Sequence, residues 1–268
     1  MDLQLKGKRA LVTGSNSGIG KGIAKMLADE GVSVVLHGRN AERLEAVRAE
    51  FAAAGRTVAA AQGDLSTDEG AAKVADAALA AFGGIDILVN NAGGGSEEKA
   101  VNWFDVALTE WLATYEKNVL AAARLIHRFA PTMKEQQWGR IIQIGSMAGT
   151  IPTSAQPDYG TAKAAMLNMT MSLSKNLKGS GVTVNMVTPG MIMTEGLVEF
   201  LTNFAAKRGW EGIDQAAEYV LKGTGQTVLR IGQPEDIAFA VTYLSSPRAD
   251  FVNGVNMHLD GGGTANIY

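Results

Sequence analysis

Tyr159 and Lys163 stand four residues apart at the start of a segment with helical periodicity. That spacing puts both side chains on one helix face, a turn apart. An ammonium beside a phenol favours phenolate and draws the tyrosine pKa down from about 10. Tyr159 is thereby fitted to act as general acid or base toward a hydroxyl or carbonyl. Taken alone, the pair is a weak signal and fits an ordinary helix face better. Ser146 adds a third group, just past the strand expected over Arg140–Gly145. This is the carboxyl edge where open α/β sheets bind ligands, and a hydroxyl there can hold a reacting oxygen against the phenol.

A second constellation lies near the N-terminus, where Thr13 leads into Gly14, Ser15, Asn16, Ser17, Gly18, Ile19 and Gly20 between the first expected strand and helix. Gly14 permits a tight turn, Gly18 lets backbone approach a pyrophosphate, and Gly20 allows close helix–sheet packing. The helix N-terminus offers N–H groups and positive potential to phosphates. A ligand-free glycine turn is the alternative, and the strand–helix context favours dinucleotide binding. At the end of the second strand the chain reads Leu36-His37-Gly38-Arg39-Asn40, with no carboxylate to take ribose hydroxyls. A guanidinium can pair with a 2′-phosphate that a carboxylate would repel. Arg39 therefore points to NADP(H) as the preferred cofactor, with NAD(H) as the alternative if Arg39 is an ordinary solvated residue. Ser17 is not basic, so the loop lacks a second phosphate contact; His37 is either such a contact or a surface histidine.

The elements that must carry these groups alternate from the first residues. Expected strands are Arg9–Thr13, Val32–His37, Thr57–Gln62, Ile85–Val89, Arg140–Gly145, Val182–Val187 and Gly254–Leu259. Between them run expected helices Ile19–Glu30, Ala41–Ala54, Glu69–Phe82, Leu108–Gln137, Tyr159–Lys178 and Pro234–Ser245. Near-continuous apolar strands linked by amphipathic helices imply a parallel sheet covered on both faces. The fold class expected is α/β: a single doubly wound Rossmann domain over 1–268, with a seven-stranded parallel sheet. Alternation lapses over Met191–Arg230, an apolar helical stretch containing Leu197, Val198, Phe200, Leu201, Phe204 and Trp210. It reads either as a lid over an apolar pocket or as a packing element. Trp103, Met147, Ile151 and Gln156 are candidate pocket residues, while Lys207 and Arg208 are the cations nearest to hand. Without an anchored cation, the pocket suits a neutral or bulky carbonyl compound or alcohol.

Composition narrows the function further. The 268 residues include no cysteine, which excludes disulfides, thiolate metal sites and a Cys nucleophile. Three scattered histidines leave little for an imidazole metal site, so none is expected. A net charge of −3 gives no footprint for nucleic acid. No run approaches the length of a membrane span, and the first residues do not form a signal peptide, so a cytoplasmic location is expected.

With these residues in place, the chain resembles the short-chain dehydrogenase/reductase family from about Gly7 to Gly262. The resemblance rests on Thr13–Gly20, Asn90-Asn91-Ala92-Gly93, Asn118, Ser146, the Tyr159/Lys163 pair, and Pro189-Gly190 leading to Thr194. It implies that Tyr159 passes a proton to or from the substrate oxygen, which Ser146 orients. It implies that Lys163 lowers the tyrosine pKa and holds the nicotinamide ribose, and that Asn118 helps hold a relay water. Asn118 could otherwise be a buried asparagine kinking a long helix. The resemblance also makes Asp64 and Leu65 adenine neighbours, Asn90 a strand-linking residue, Asn91, Ala92 and Gly93 cofactor neighbours, and Ile192 and Thr194 carboxamide neighbours.

The resemblance implies an oxidoreductase interconverting a secondary alcohol and a ketone, and a homotetramer or homodimer built from the long helices flanking the fifth strand. Carrier-bound 3-oxoacyl chains, sugars, polyols and steroids are all substrates within the family. Ser180 stands where carrier-protein reductases often place a basic residue, a departure that weighs against acyl chains. A catalytically silent dinucleotide-binding regulator is the alternative from another class.

Overall fold

The computed structural model describes residues 1–95, 103–152, 154 and 156–264. Seven strands form one parallel sheet: β1 (Arg9–Val12), β2 (Ser33–Gly38), β3 (Val58–Gln62), β4 (Ile87–Asn90), β5 (Gly139–Ile144), β6 (Val182–Pro189) and β7 (Asn256–Leu259). Their order is β3-β2-β1-β4-β5-β6-β7, so the sequence reverses direction between β1 and β4. Ligands of doubly wound sheets bind at such a switch point, outside the carboxyl ends of the strands.

Nine α-helices are found among the described residues: α1 (Gly18–Asp29), α2 (Ala41–Ala53), α3 (Asp68–Phe82), α4 (Leu108–Tyr115), α5 (Ala121–Glu135), α6 (Pro157–Asn176), α7 (Glu195–Arg208), α8 (Ile213–Gly223) and α9 (Pro234–Ser245). Strand side chains alternate between two apolar layers, as the pleat requires. Ala10 and Val12 join Ile23, Leu27, Phe51, Ile237 and Val241 on the side of α1, α2 and α9. Leu11 joins Val74, Ala78, Leu125 and Phe129 on the side of α3 and α5. Each such aliphatic or aromatic side chain contributes roughly 1.5–3 kcal/mol by leaving water, which fixes the register that aligns the strand ends.

One helical expectation needs correction and a second gains detail. Leu108–Gln137 is not one helix: a π turn at Glu116–Leu120 separates α4 from α5. A π turn admits one extra residue, and such turns often mark functional positions. The Met191–Arg230 stretch resolves into α7 and α8, which build a small core of their own from Leu201, Ala205, Ala216 and Ile231. Leu197, Phe204 and Trp210 pack against that core, whereas Val198 and Phe200 stay exposed. Most of the apolar stripe is thus consumed by helix-on-helix packing. Among the described residues no helix is long and apolar enough to cross a membrane, and no acidic, His or Cys cluster could hold a metal ion.

Candidate active site

A cleft of about 890 Å³ opens at the carboxyl ends of β1, β2 and β4. Its floor is the glycine loop. Gly14 has φ +62°, a left-handed turn that few side chains tolerate. A methyl on Gly20 would lie 2.3 Å from the Gly14 carbonyl oxygen and 2.5 Å from Asn91 Nδ2, so loop, helix and β4 close on one another only with glycine there. Ser17 caps α1 in extended backbone, but its side chain accepts none of the first-turn N–H groups, and that turn holds no acidic residue. Those orphan donors and their positive potential therefore face the cleft. The chemistry of this donor set fits a pyrophosphate.

Asn91 fastens the loop: its Nδ2 donates to Thr13 O (2.8 Å) and Gly14 O (3.1 Å), and its N–H reaches Thr13 Oγ1 at 2.9 Å. Ala92 N–H shares that hydroxyl at 2.9 Å. The linking role expected of Asn90 thus falls to Asn91, while the buried Asn90 amide has no hydrogen-bond partner. Asn90 is the last residue of β4 and buried, whereas Asn91 lies just past the strand and reaches the end of β1.

His37 is neither a phosphate contact nor a surface residue. It is 3 % exposed; its Nδ1 accepts Gly14 N–H at 3.0 Å and its Nε2 meets Gly63 O at 3.2 Å. Ser15 exchanges two bonds with the His37 backbone. Burial pushes the imidazole pKa down to about 4, against a smaller opposing pull from the Gly63 carbonyl. The histidine is a neutral pin between the glycine loop and the loop after β3.

Around this floor the expected cofactor residues Gly14, Asn16, Ser17, Gly18, Ile19, Gly20, Arg39, Asp64, Leu65, Asn91, Ala92, Gly93 and Thr194 line the cleft together. Ser15 is fully buried beneath them. Asp64 accepts Ser66 N–H and hydroxyl; the backbone donor foremost holds its carboxyl below the usual range. The Arg39 guanidinium has no ion pair among the described residues, and its carbonyl takes Gln62 Nε2 at 3.0 Å. Asn16 packs against Gly38 so closely that a methyl there would meet its Nδ2 at 2.7 Å.

Thr194 caps α7 through its hydroxyl, and its methyl faces Gly18. The Ile192 side chain turns away into the core, as its backbone bridges to Gly232. Pro189 ends β6, and Gly190 packs on Asp260. Sequence reading missed Arg43, Lys117 and Glu195, which also line the cleft. Arg43 lies four residues beyond Arg39, the one clue available in sequence.

The catalytic candidates meet beside this cleft. The Ser146 hydroxyl lies beside the Tyr159 phenol and favours its ionised form, and Ser146 Oγ accepts Ala148 N–H at 3.2 Å. Lys163 is buried one turn along α6, with Nζ donating to Ile144 O at 2.9 Å and lying 5.6 Å from the Tyr159 ring centroid. Burial lowers the lysine pKa to about 8. Burial raises the tyrosine above its usual 10, and the opposing pull comes from Ser146. Lys163, whose ammonium donates to the Ile144 carbonyl, does not contribute to this shift.

Asn118 occupies the π turn, fully buried, donating to Thr114 O (2.8 Å) and Gly94 O (2.9 Å) and accepting Gly94 N–H at 3.1 Å. A methyl on Gly93 would lie 2.3 Å from Asn118 Oδ1 and 3.6 Å from Lys163 Nζ, so this glycine separates the two groups.

The remaining pocket candidates scatter. Gln156 and Tyr159 both border Gly95, and Met147 meets Gly263. Trp103 packs on Phe104 and Trp111. Arg208 lies over Phe204, Trp210 and Tyr219, an aromatic anchorage spanning α7, the following turn and α8 rather than a substrate clamp. Ser180 is buried, bonded to Leu177 O at 2.6 Å.

Comparison with known proteins agrees with this geometry. The family model described as short chain dehydrogenase matches residues 8–203. The uncharacterized oxidoreductase YvaG of Bacillus subtilis is 35% identical, with both chains covered in full. L-sorbose reductase from Gluconobacter frateurii, solved with NADPH and L-sorbose, is 32% identical with TM-score 0.93 over 100% of both chains. A 7α-hydroxysteroid dehydrogenase solved with NADH and 7-oxo glycochenodeoxycholic acid is 32% identical with TM-score 0.87, covering 100% of this chain and 98% of that one. With the family match, a fold shared end to end and the Ser146, Tyr159 and Lys163 set gathered beside the cleft, the chain belongs to the short-chain dehydrogenase/reductase family of oxidoreductases.

Proposed function

We propose that the protein is an NADP(H)-dependent oxidoreductase interconverting a secondary alcohol and a ketone, with Tyr159 as general acid/base. The observation that carries the reading is the gathering of Ser146, Tyr159 and buried Lys163 beside a cleft floored by orphan helix N–H groups. A bound nicotinamide dinucleotide supplies or accepts the hydride. Its pyrophosphate would rest on Ser17–Gly20, its adenine by Asp64 and Leu65, its 2′-phosphate on Arg39, and its nicotinamide end by Asn91–Gly93, Pro189–Gly190, Ile192 backbone and Thr194.

Ser146 orients the substrate oxygen, Tyr159 exchanges the proton with it, and Lys163 holds the nicotinamide ribose and returns the proton. Asn118 supports that relay from the π turn. NADP(H) is favoured over NAD(H) because the cleft presents Arg39 without an ion pair and no carboxylate from Leu36 to Asn40. The α7–α8 pair acts as a substrate lid hinged at the Ile192–Gly232 bridge, closing over an apolar carbonyl or alcohol. A sugar ketone is the second reading, favoured by the full-length likeness to L-sorbose reductase. An acyl-carrier substrate is disfavoured by Ser180. A homodimer or homotetramer in the cytoplasm completes the proposal, supported by Phe239 on α9 and Phe251 before edge strand β7, 68% and 99% exposed.

Parallel fluorescence titrations with NADPH and NADH test the cofactor, and a panel of apolar and sugar ketones tests the substrate. Tyr159→Phe should keep NADPH affinity within about twofold while turnover falls at least about a thousandfold. Unchanged biological function in that variant would instead identify a regulator.

A further inference from the structure

One ion pair spans the mouth of the cofactor cleft. Arg43, in the first turn of α2, receives the Asn40 cap on its N–H at 2.8 Å, and its guanidinium leaves the helix toward the cleft. It meets Glu195, the first residue of α7, with Nη2 2.5 Å from Oε2. The partners are 152 residues apart in sequence, and both line the same cleft as Arg39. Thr194, next to Glu195, presses its methyl toward Gly18. The carboxylate thus reaches from the nicotinamide side of the cleft to the corner where β2 ends. The charged groups facing this cleft are Arg39, Arg43, Lys117, Asp64 and Glu195. Asp64 is engaged by Ser66, and Lys117 donates to Gly95 O at 2.5 Å. Glu195 is therefore the carboxylate that neutralises a guanidinium beside Arg39.

We propose that Glu195 is a cofactor-specificity residue that competes with the 2′-phosphate of NADP(H) for Arg43. Resting on the NADP(H) reading above, the inference adds Arg43 as the second basic group that the glycine loop does not supply. A 2′-phosphate dianion between Arg39 and Arg43 takes over the Arg43 fork, and Glu195 turns to solvent. The neutral 2′-hydroxyl of NAD(H) offers no such exchange. Glu195 consequently weakens NADP(H) binding and leaves NAD(H) nearly untouched, which narrows the enzyme's preference.

The test measures dissociation constants of NADPH and NADH by fluorescence titration on the full-length protein. Wild type, Glu195→Gln, Arg43→Ala and the double variant are compared at low and physiological salt. The pair is solvent-exposed, so its loss is worth about a two- to fivefold change in affinity. Glu195→Gln should tighten NADPH by that factor with NADH within the scatter, and added salt should shrink the gain. Arg43→Ala should weaken NADPH, and in its background Glu195→Gln should do nothing. Equal tightening of both cofactors, no tightening of NADPH, or a gain that persists without Arg43 would each overturn the inference. A wild-type preference for NADH would overturn the NADP(H) reading alone, since removing the competitor must still raise NADPH affinity relative to NADH.

Discussion

Acid should weaken this protein through His37 before most of its carboxylates titrate. The imidazole is 3 % exposed and takes Gly14 N–H on Nδ1 at 3.0 Å, so a proton on that nitrogen removes the acceptor. Its pKa is about 4 in the folded chain against 6.5 as the ordinary value. Between those pH values the unfolded chain binds a proton that the folded chain refuses, so stability falls as pH drops from 6.5 and the effect levels off below 4. At 1.36 kcal/mol per pH unit this gap is worth about 3 kcal/mol, a large part of the net stability of a domain. Urea unfolding from pH 8 to pH 4 checks this, with His37→Asn as the comparison. The asparagine keeps an oxygen acceptor near Gly14 but does not titrate. The variant should start less stable at pH 8, because it loses the bond to Gly63 O and ring packing, and then show a flatter acid limb. Asp29, Asp236 and Asp260, all held below their usual range, contribute equally to both proteins and cancel in the difference, whereas Asp64 interacts with His37 and belongs to the effect being measured. Parallel acid limbs would refute the buried neutral pin.

Two further perturbations address the catalytic side. Gly93→Ala places a methyl 2.3 Å from Asn118 Oδ1; kcat should fall about tenfold or more with a smaller change in KM, because Asn118 must leave Gly94, and a steady-state assay reads the split. Lys163 has a folded pKa near 8 against 10.5, so the unfolded chain binds the extra proton between those values and stability rises with pH across that window. Lys163→Met should be more stable than wild type at pH 7 by up to about 3 kcal/mol while losing turnover, and that advantage should vanish by pH 10.5 in urea unfolding. Equal stability of the two at both pH values would show that the ammonium is not paying for burial.

The sheet, its helices and the glycine loop were legible because each is written locally. Apolar runs such as Arg9–Val12 and Val182–Pro189 are bounded by turn residues, and the loop falls at a strand-to-helix junction. What was not legible depends on partners distant in sequence or on a single step of phase. His37 lies in β2, where one residue decides between core and surface, and its partners Gly14 and Gly63 come from two other loops. Asn90 and Asn91 are adjacent, and only the end of β4 settles which one turns toward β1. The π turn at Asn118 leaves the hydrophobic pattern of a long helix nearly intact, since one inserted residue shifts the face without interrupting it. The apolar stripe of α7 gave no sign whether its partner was a ligand or a neighbouring helix; α8 supplies that partner. Arg43 and Glu195 could not be paired from sequence across 152 residues.

The two catalytic pKa shifts together bear on direction. A phenol held above 10 is protonated at neutral pH, the state in which Tyr159 can give a proton to a carbonyl oxygen. Once it has done so, the phenolate must be refilled. Buried Lys163, with a pKa near 8, is a stronger acid than a free lysine, while burial raises the phenol, so ammonium-to-phenolate transfer runs downhill. Alcohol oxidation needs the reverse, an uphill transfer from phenol to amine that some other group must offset. Ser146 offsets part of it by favouring the ionised phenol. Moving the ammonium from the Ile144 carbonyl toward the phenol oxygen would offset more. Position, rather than identity, of the Lys163 ammonium thus sets which half-reaction the pair is primed for. Under the proposed reaction, a pair held at Ile144 would favour carbonyl reduction, the direction an NADP(H) preference would also favour.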